Sequence, residues 1–447
     1  MKDNLVFIVV DALRADHLEC YGYDKPTSRN INNLVKNGIL FEKAFSTINA
    51  TDPSLTSIFS GKFPLSSGIR NHGERVTEME KRTAENLLSF TKILHKIGYT
   101  TLGVNWLGRW HKNGYNFYGI NYPWYYRSRR SSGARAKLSE IKFTTKTGIN
   151  LLKKYHDRQF FLYLHYWGTH TPYSAPKAYA DFFYKYHKDE EYNVTKERVF
   201  KTPFNTKWRM YLNNWIEELP NITYVFSLYD AAIAFIDTQI GIISEILNKL
   251  GIADATNLVV TADHGESLYE HGIYFDHHGL YDETIHVPLI FKGPAFPKGK
   301  KIKSLVTHVD IVPTLLDVLE IDIDEPHFDG LSLLPLLKGD VHEVRQSILS
   351  EENYTEEKMA IRTKKSKYIF SPSKEAAMCR YCNVIHGGIE ELYNLESDPK
   401  ELHNLVKLEP RIAKKLKTDL FNWVHKINTK KERTKIRSIN GLLTPEE

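Results

Sequence analysis

The stretch NLVFIVVDALRADH, Asn4 to His17, holds an unbroken apolar run from Leu5 to Val10 that stops at Asp11. Six apolar residues without alternation are the pattern of a strand covered on both faces, as in the middle of a parallel sheet. Asp11 therefore falls at a strand's carboxyl end, where open α/β sheets hold their ligands. NLVVTADHGE, from Asn257, repeats the pattern and delivers Asp263 and His264 at its end. Two strand ends carrying carboxylates and an imidazole suit a divalent metal ion. Helical patterns at about 83–97, 143–156 and 225–250 each precede an apolar strand, the alternation that builds a parallel sheet. In the last of them Leu228, Ala232, Phe235, Ile236, Ile240, Ile243 and Ile246 recur at helical spacing, with Gly251 as the stop. The expectation is an α/β fold: a central, mostly parallel sheet sandwiched by helices.

Between the two acidic strand ends lies TDPSLTSIFSG, residues 51–61. Thr51 and Pro53 precede a segment able to form a helix, and a helix N-terminus attracts anions. Taken alone, Thr51 reads equally as an N-cap.

At these residues the chain resembles the alkaline phosphatase superfamily, specifically its sulfatase family. The resemblance is carried in order by VDALRADHLECYG near the start, the Thr51 stretch, GRWH at 108–111, HTPYSAP at 170–176, ADHGE at 262–266, HVPLIFKGP at 286–294 and ELYNLESDPKELHNL at 391–405. It implies a divalent-metal-dependent ester hydrolase with Asp11, Thr51, Asp263 and His264 at one metal ion. The chain departs from the sulfatase pattern where Cys or Ser and, four residues on, Arg are usual: it has Thr51 and Leu55. A formylglycine nucleophile is therefore not expected. Ala12 follows Asp11 where the calcium-binding pattern has a second acid, and His264 follows Asp263 where an amide is usual. Imidazole with one fewer carboxylate favours manganese or zinc over calcium.

The pattern is similar to superfamily phosphodiesterases and phosphoglycerol or phosphoethanolamine transferases that use Thr as nucleophile. Cleavage of a phosphate mono- or diester through Thr51 is the expected activity. The alternatives are a sulfuric ester hydrolase without formylglycine, a transferase of the phosphoglycerol type, and a non-catalytic binding member. By the same resemblance His170, Arg109 and His111 face the ester, His277 falls where relatives carry Lys, Asn71 contacts the substrate oxyanion, and His278 binds substrate. His277 and His278 exchange roles if the alignment shifts by one. Each has a bland competitor: GRWH as a surface loop with aromatic anchors, and His165, in LYLHYW, as a satisfied buried histidine. Asp230 and Asp237, seven apart on one helical face, read as structural, and Glu266 as orienting its loop.

The 447 residues, 42% hydrophobic, suffice for a large core and two or three units. A catalytic unit over 1–337 and a smaller C-terminal unit over 338–447 are expected, the latter an antiparallel sheet with strands at 347–352 and 359–370 and a helix at 412–427. The segment 174–222, rich in Tyr, Phe, Trp, Lys and Glu without a clean period, reads as an insertion over the site. Apolar runs are strand-sized, so no membrane segment is expected. Met1-Lys2-Asp3-Asn4 leads straight into the first strand without the pattern of a signal peptide, and Cys20, Cys379 and Cys382 make no disulfide framework, so a cytoplasmic location is expected. Cys379-Arg-Tyr-Cys382 with His386 resembles half of a zinc site, short of four ligands. The net charge of +6 is mild. Arg127, Arg129, Arg130, Arg135 and Lys137 could draw an anionic ester, including one on a modified glycan, to a cleft, and KKERTKIR near the C-terminus reads as a frayed tail. No base-stacking module suggests nucleic acid.

Overall fold

The computed structural model describes residues 3–119, 133–190, 192, 194–217, 219–323 and 328–441, and within these the side chains of all but 133–137 and 430–441. The arginines at 127, 129, 130 and 135, Lys137 and all of KKERTKIR thus lie outside the described side chains.

The strands of the main sheet are β1 Asn4–Val10, β2 Gly38–Phe41, β4 Thr100–Val104, β5 Phe117–Gly119, β6 Phe160–Tyr166, β7 Thr256–Ala262, β8 Leu289–Lys292 and β9 Lys300–Ile302. A short parallel pair, β3 Ala44–Phe45 and β10 Val306–Thr307, lies beside them. Their order across the sheet is β5-β4-β6-β1-β7-β8-β2-β9. All neighbours are parallel except β8, which runs against both β7 and β2. Every residue of β1 is buried, as its apolar run requires. Val6, Ile8 and Val10 pack in one apolar layer with the Ile222–Lys249 helix, while Leu5, Phe7 and Val9 face the other layer with Leu55 and Ile58. That helix is long and apolar enough by composition to cross a membrane, yet most of it is buried inside the protein, the state of a core helix.

Sequence periodicity located most elements and misjudged several bounds. The single helical pattern at 83–97 is two helices, Glu78–Asn86 and Phe90–Lys96, each opened by a side-chain cap from Thr77 or Ser89. The strand expected over 359–370 is a hairpin. A second, antiparallel sheet is formed by β11 Ser347–Glu352, β12 Lys358–Thr363, β13 Ser366–Phe370 and β14 Glu390–Asn394, in that order. The Pro410–Gly441 helix packs on it through Ala413, Leu416 and Leu420. The segment 174–222 is not aperiodic: it folds as helices Lys177–His187, Lys196–Lys201 and Thr206–Ile216, the latter two capped by Thr195 and Asn205. Aromatic and charged residues had masked these short periods.

The second sheet touches the first at a decisive place. Glu351 N donates to Thr47 O at 2.8 Å, and Phe45, Tyr281, Ile348 and Tyr393 share one apolar cluster. The chain entering Thr51 is thereby held from both sides.

Candidate active site

Parallel register brings three strand ends together. Val10 pairs with Ala262 on one side and Tyr166 on the other, so Asp11 and Asp263 emerge next to each other, with His165 beside Val9. Ala12 takes the left-handed conformation, φ 56°, which is costly for a residue with a Cβ. Its N–H reaches Asp263 Oδ1 at 3.1 Å, and its carbonyl accepts from Tyr229 OH at 2.8 Å. Asp11, Asp263 and His264 are buried, and one ligand atom from each lies within 4.8 Å of the others.

The donor set fits a cation. His264 Nδ1 lies 2.8 Å from Gly265 O, which can only accept, so the proton sits on Nδ1 and Nε2 presents a lone pair. That lone pair faces Asp263 Oδ2 at 3.4 Å and Asp11 Oδ1 at 3.8 Å. Asp263 Oδ2 is buried with no hydrogen-bond partner among the described residues. Burial raises the Asp263 carboxyl above its usual range, against the pull of His165 and the N–H groups of Ala12 and His264, and burial pushes His264 down to about 4. Acceptors converging without a proton between them are the chemistry of a metal site.

His165 is only half satisfied. Its Nδ1 donates to Asn105 Oδ1 at 2.8 Å, while Nε2 points at Asp11 Oδ2, 3.6 Å away. Burial holds it neutral, down to about 4. It adds a further lone pair beside the cluster, which its apolar surroundings in the sequence concealed.

Thr51 is the first residue of the Thr51–Ser60 helix. The N-cap is Ala50, with no side-chain cap, so the Thr51 hydroxyl is not spent on capping. Its Oγ1 lies 3.3 Å from His264 Nε2. Ser54, one turn on, donates to the Asp263 carbonyl at 2.6 Å and ties the helix to the Asp11, Asp263 and His264 cluster. Leu55 is fully buried in the apolar layer. The position at which the sulfatase pattern carries Arg thus points away from the polar cluster.

A residue that sequence reasoning missed stands next to Thr51. The Asp52 carboxylate is completely buried and is held by Arg109, by His111 Nε2 at 3.0 Å, by His72 Nδ1 at 2.8 Å and by Gly73 N–H at 3.0 Å. Burial alone would raise it, but His72 and His111 outweigh that and hold it well below the carboxylate range. Arg109 and His111, expected at the ester, therefore spend these contacts on Asp52. An acid in a helix's first turn reads as a dipole partner; nothing in the local sequence announced three cationic or imidazole partners from two other segments.

The remaining expectations separate. The His277 ring lies tilted against His264, with centroids 4.2 Å apart, and 5.5 Å from His170, so these histidines line one group. Burial pushes His277 down to about 3, and its Nδ1 is engaged by Asn49 O. His277 is thus neutral, unlike the Lys that the sulfatase resemblance leads one to expect at this place. His170 is half-buried, with Nδ1 at 2.8 Å from Thr171 O. His278 is not brought to this group: Nε2 is 3.4 Å from Cys379 Sγ and Nδ1 3.2 Å from Asp276 Oδ2. Asn71 is held elsewhere too, its amide donating to Glu80 and accepting from Asn353. Glu80, the N3 residue of a capping box, is an anchor that the motif could not reveal. Asp230 accepts from His17, His187 and Tyr23, and Asp237 caps the helix at Asn30 and Ile31. Glu266 accepts from Tyr173 OH at 2.8 Å.

This sheet, with a helix-borne hydroxyl over its carboxyl ends, is the alkaline-phosphatase-like architecture. A sulfatase family model matches residues 3–321, and a model of the N-sulphoglucosamine sulphohydrolase C-terminal region matches 269–429. The chain belongs to the sulfatase family and is a hydrolase acting on ester bonds. It is 25% identical to an arylsulfatase of Clostridium perfringens over 92% of this chain and 91% of that one. It is 26% identical to an ulvan-active sulfatase of Formosa agariphila, over 95% and 80%. Among solved structures it is similar to the phosphonate monoester hydrolase of Agrobacterium radiobacter, with a TM-score of 0.76, 19% identity and coverage of 95% and 96%.

One further histidine supports the helix from below. His308 Nδ1 lies 3.2 Å from Ser54 Oγ, and burial pushes His308 down to about 3. It is neutral in the fold, whereas the unfolded chain binds a proton there below about pH 6.5. The sign follows: below that pH the unfolded state takes up the extra proton, so this residue's contribution to stability shrinks as pH falls. Relative to His308→Gln, the wild type should lose about 2 kcal/mol between about pH 7 and pH 5 in urea unfolding. A gap that does not change with pH would contradict a neutral His308.

Proposed function

We propose that the protein cleaves phosphate esters, mono- or diesters, with Thr51 as nucleophile and one divalent cation, manganese or zinc in preference to calcium, held by Asp11, Asp263 and His264. The observation that carries this reading is the Thr51 hydroxyl, uncapped at a helix N-terminus and 3.3 Å from the unprotonated nitrogen of His264. A cation bound there lowers the pKa of a neighbouring hydroxyl and neutralises charge on a substrate oxygen.

The chain's own residues do the rest. The positive end of the Thr51–Ser60 helix dipole attracts the phosphoryl oxygens, while the N–H groups of Asp52 and Ser54 are already engaged by His72 Nδ1 and Ala50 O and Pro53 has none. Thr51 Oγ gives its proton to water as it bonds to phosphorus and the bond to the alcohol oxygen breaks, and half-buried His170, itself protonated from water, protonates the departing alcohol. Water then releases phosphate from the phospho-threonine and returns a proton to Thr51; an alcohol in place of water would make the same site a transferase. Asp52, with Arg109, His111 and His72, sets the position of the Thr51 turn.

The relatives named as sulfatases favour a second reading, a sulfuric ester hydrolase without formylglycine. Both readings accommodate an anionic ester on a modified glycan. The absence of Cys and Arg at Thr51 and Leu55 weighs for phosphorus. Matched nitrophenyl phosphate monoester, diester and sulfate distinguish the two after chelation and re-addition of metal. Phosphate ester turnover should vanish with chelator and return with manganese or zinc more fully than with calcium. Dominant sulfate turnover would replace this reading by the second.

A further inference from the structure

A second cluster of metal-ligating side chains lies apart from the Asp11, Asp263 and His264 group. His278, Cys379, Cys382 and His386 are all buried, with one ligand atom of each within 4.8 Å of the others. We propose that these four residues form a closed, tetrahedral zinc site that is structural and separate from the catalytic cation.

The edges of the cluster have the size such a site needs. Zinc bonds of about 2.3 Å to sulfur and 2.0–2.1 Å to nitrogen at tetrahedral angles place S and N about 3.5 Å apart. Cys379 Sγ lies 3.4 Å from His278 Nε2, and Cys382 Sγ 3.1 Å from His386 Nε2. Only a small adjustment is required. Both imidazoles turn the same nitrogen inward: His386 Nδ1 faces the carbonyl of His271 at 3.0 Å, and His278 Nδ1 lies 3.2 Å from Asp276 Oδ2. The carbonyl fixes the His386 proton on Nδ1, and the Asp276 carboxylate, in ion-pair range of His278 Nδ1 without hydrogen-bond geometry, favours a proton on the same side there, which leaves each Nε2 to coordinate.

The Cys-x-x-Cys turn is shaped for the same purpose. Met378 and Ile385 form an antiparallel bridge, Cys379 N donates to Val384 O at 2.9 Å, and Asn383 takes φ 53° to reverse the chain. Tyr381 N–H points at Cys379 Sγ at 3.4 Å, which stabilises a thiolate. Ordinary packing of buried thiols as small hydrophobes explains none of these directed contacts. Two soft thiolates and two imidazoles in a closed tetrahedron select zinc over calcium or magnesium.

The position of the site gives it a role. His278 belongs to the loop that carries His277 to His264, while the cysteines belong to the turn between β13 and β14 of the second sheet. Trp208 of the 174–222 segment stacks on Tyr381 at 4.7 Å, and Asn205 Nδ2 donates to Arg380 O. Zinc would staple the His278 loop to the turn that carries Cys379, Cys382 and His386, against which the 174–222 segment packs.

Cobalt replacement in the full-length protein tests this. The cobalt form should show a sulfur-to-metal charge-transfer band that survives Asp263→Asn and disappears in Cys382→Ser. If Cys382→Ser fails to fold, zinc-edge X-ray absorption of the Asp263→Asn protein decides, with a mixed shell of two sulfurs and two nitrogens expected. A shell of oxygen and nitrogen alone, no charge-transfer band in cobalt-loaded wild type, or a Cys379–Cys382 disulfide in the purified protein would overturn the proposal.

Discussion

Thr51→Ala is expected to lower kcat/KM for the preferred ester by about 10³-fold or more, the scale on which loss of a nucleophile registers. Its fold and metal content should stay close to wild type. The asymmetry follows from the local structure. Thr51 is the first helical residue, Ala50 is the cap, and no capping bond is lost; alanine is also the better helix former. The deleted atoms are a hydroxyl facing His264 and a methyl group, so the chemistry loses its attacking oxygen while the layer built on Leu55 and Ile58 stays. Thr51→Ser, which keeps the oxygen, should retain far more activity. Steady-state kinetics with metal analysis on both variants provide the check. Activity of Thr51→Ala within about tenfold of wild type would remove Thr51 as the nucleophile.

Asp52→Asn should be the most destabilising single change near the site, costing about 3–5 kcal/mol, the scale for removing one partner from a buried charge cluster. That is a large part of the 5–15 kcal/mol of a typical domain. Asparagine keeps the shape but leaves Arg109 without its counter-charge and His111 and His72 without an anionic acceptor. Because the brace adjoins Thr51, activity should fall too, by about 10–100-fold, the range seen when outer support of a site is removed. The loss should appear in kcat, since Asp52 is a positioning residue. Urea unfolding and a kcat-against-KM comparison test it, and a variant as stable as wild type would mean that the cluster is solvated rather than charged and buried.

Legibility from sequence tracked the range of the interactions. The β1 and β7 runs, the ADHGE strand end and the long Ile222–Lys249 helix were readable because burial on both faces, or on one helical stripe, leaves a periodic apolar signature. Asp11, Asp263 and His264 were readable because each sits at the end of such a strand. His277 could not be separated from His278 by counting, since neighbours in a loop differ only in the direction the backbone turns them. Asn71 donates its amide to Glu80, nine residues on, a partner that the motif around it does not announce. The three helices of 174–222 were masked by their aromatic, weakly periodic surfaces.

By itself, then, the sequence determined the α/β class, the acidic strand ends that meet in one buried cluster and the hydroxyl beside it, because hydrophobic burial and strand-end chemistry are written in contiguous residues. Only the tertiary structure decided that Asp52 gathers Arg109, His111 and His72, that His165 turns a lone pair toward Asp11, and that His278 completes a set with Cys379, Cys382 and His386. Those groupings join residues far apart in the chain, His165 and Asp11 among them, and their partners are selected by strand register and loop direction, which no local pattern encodes.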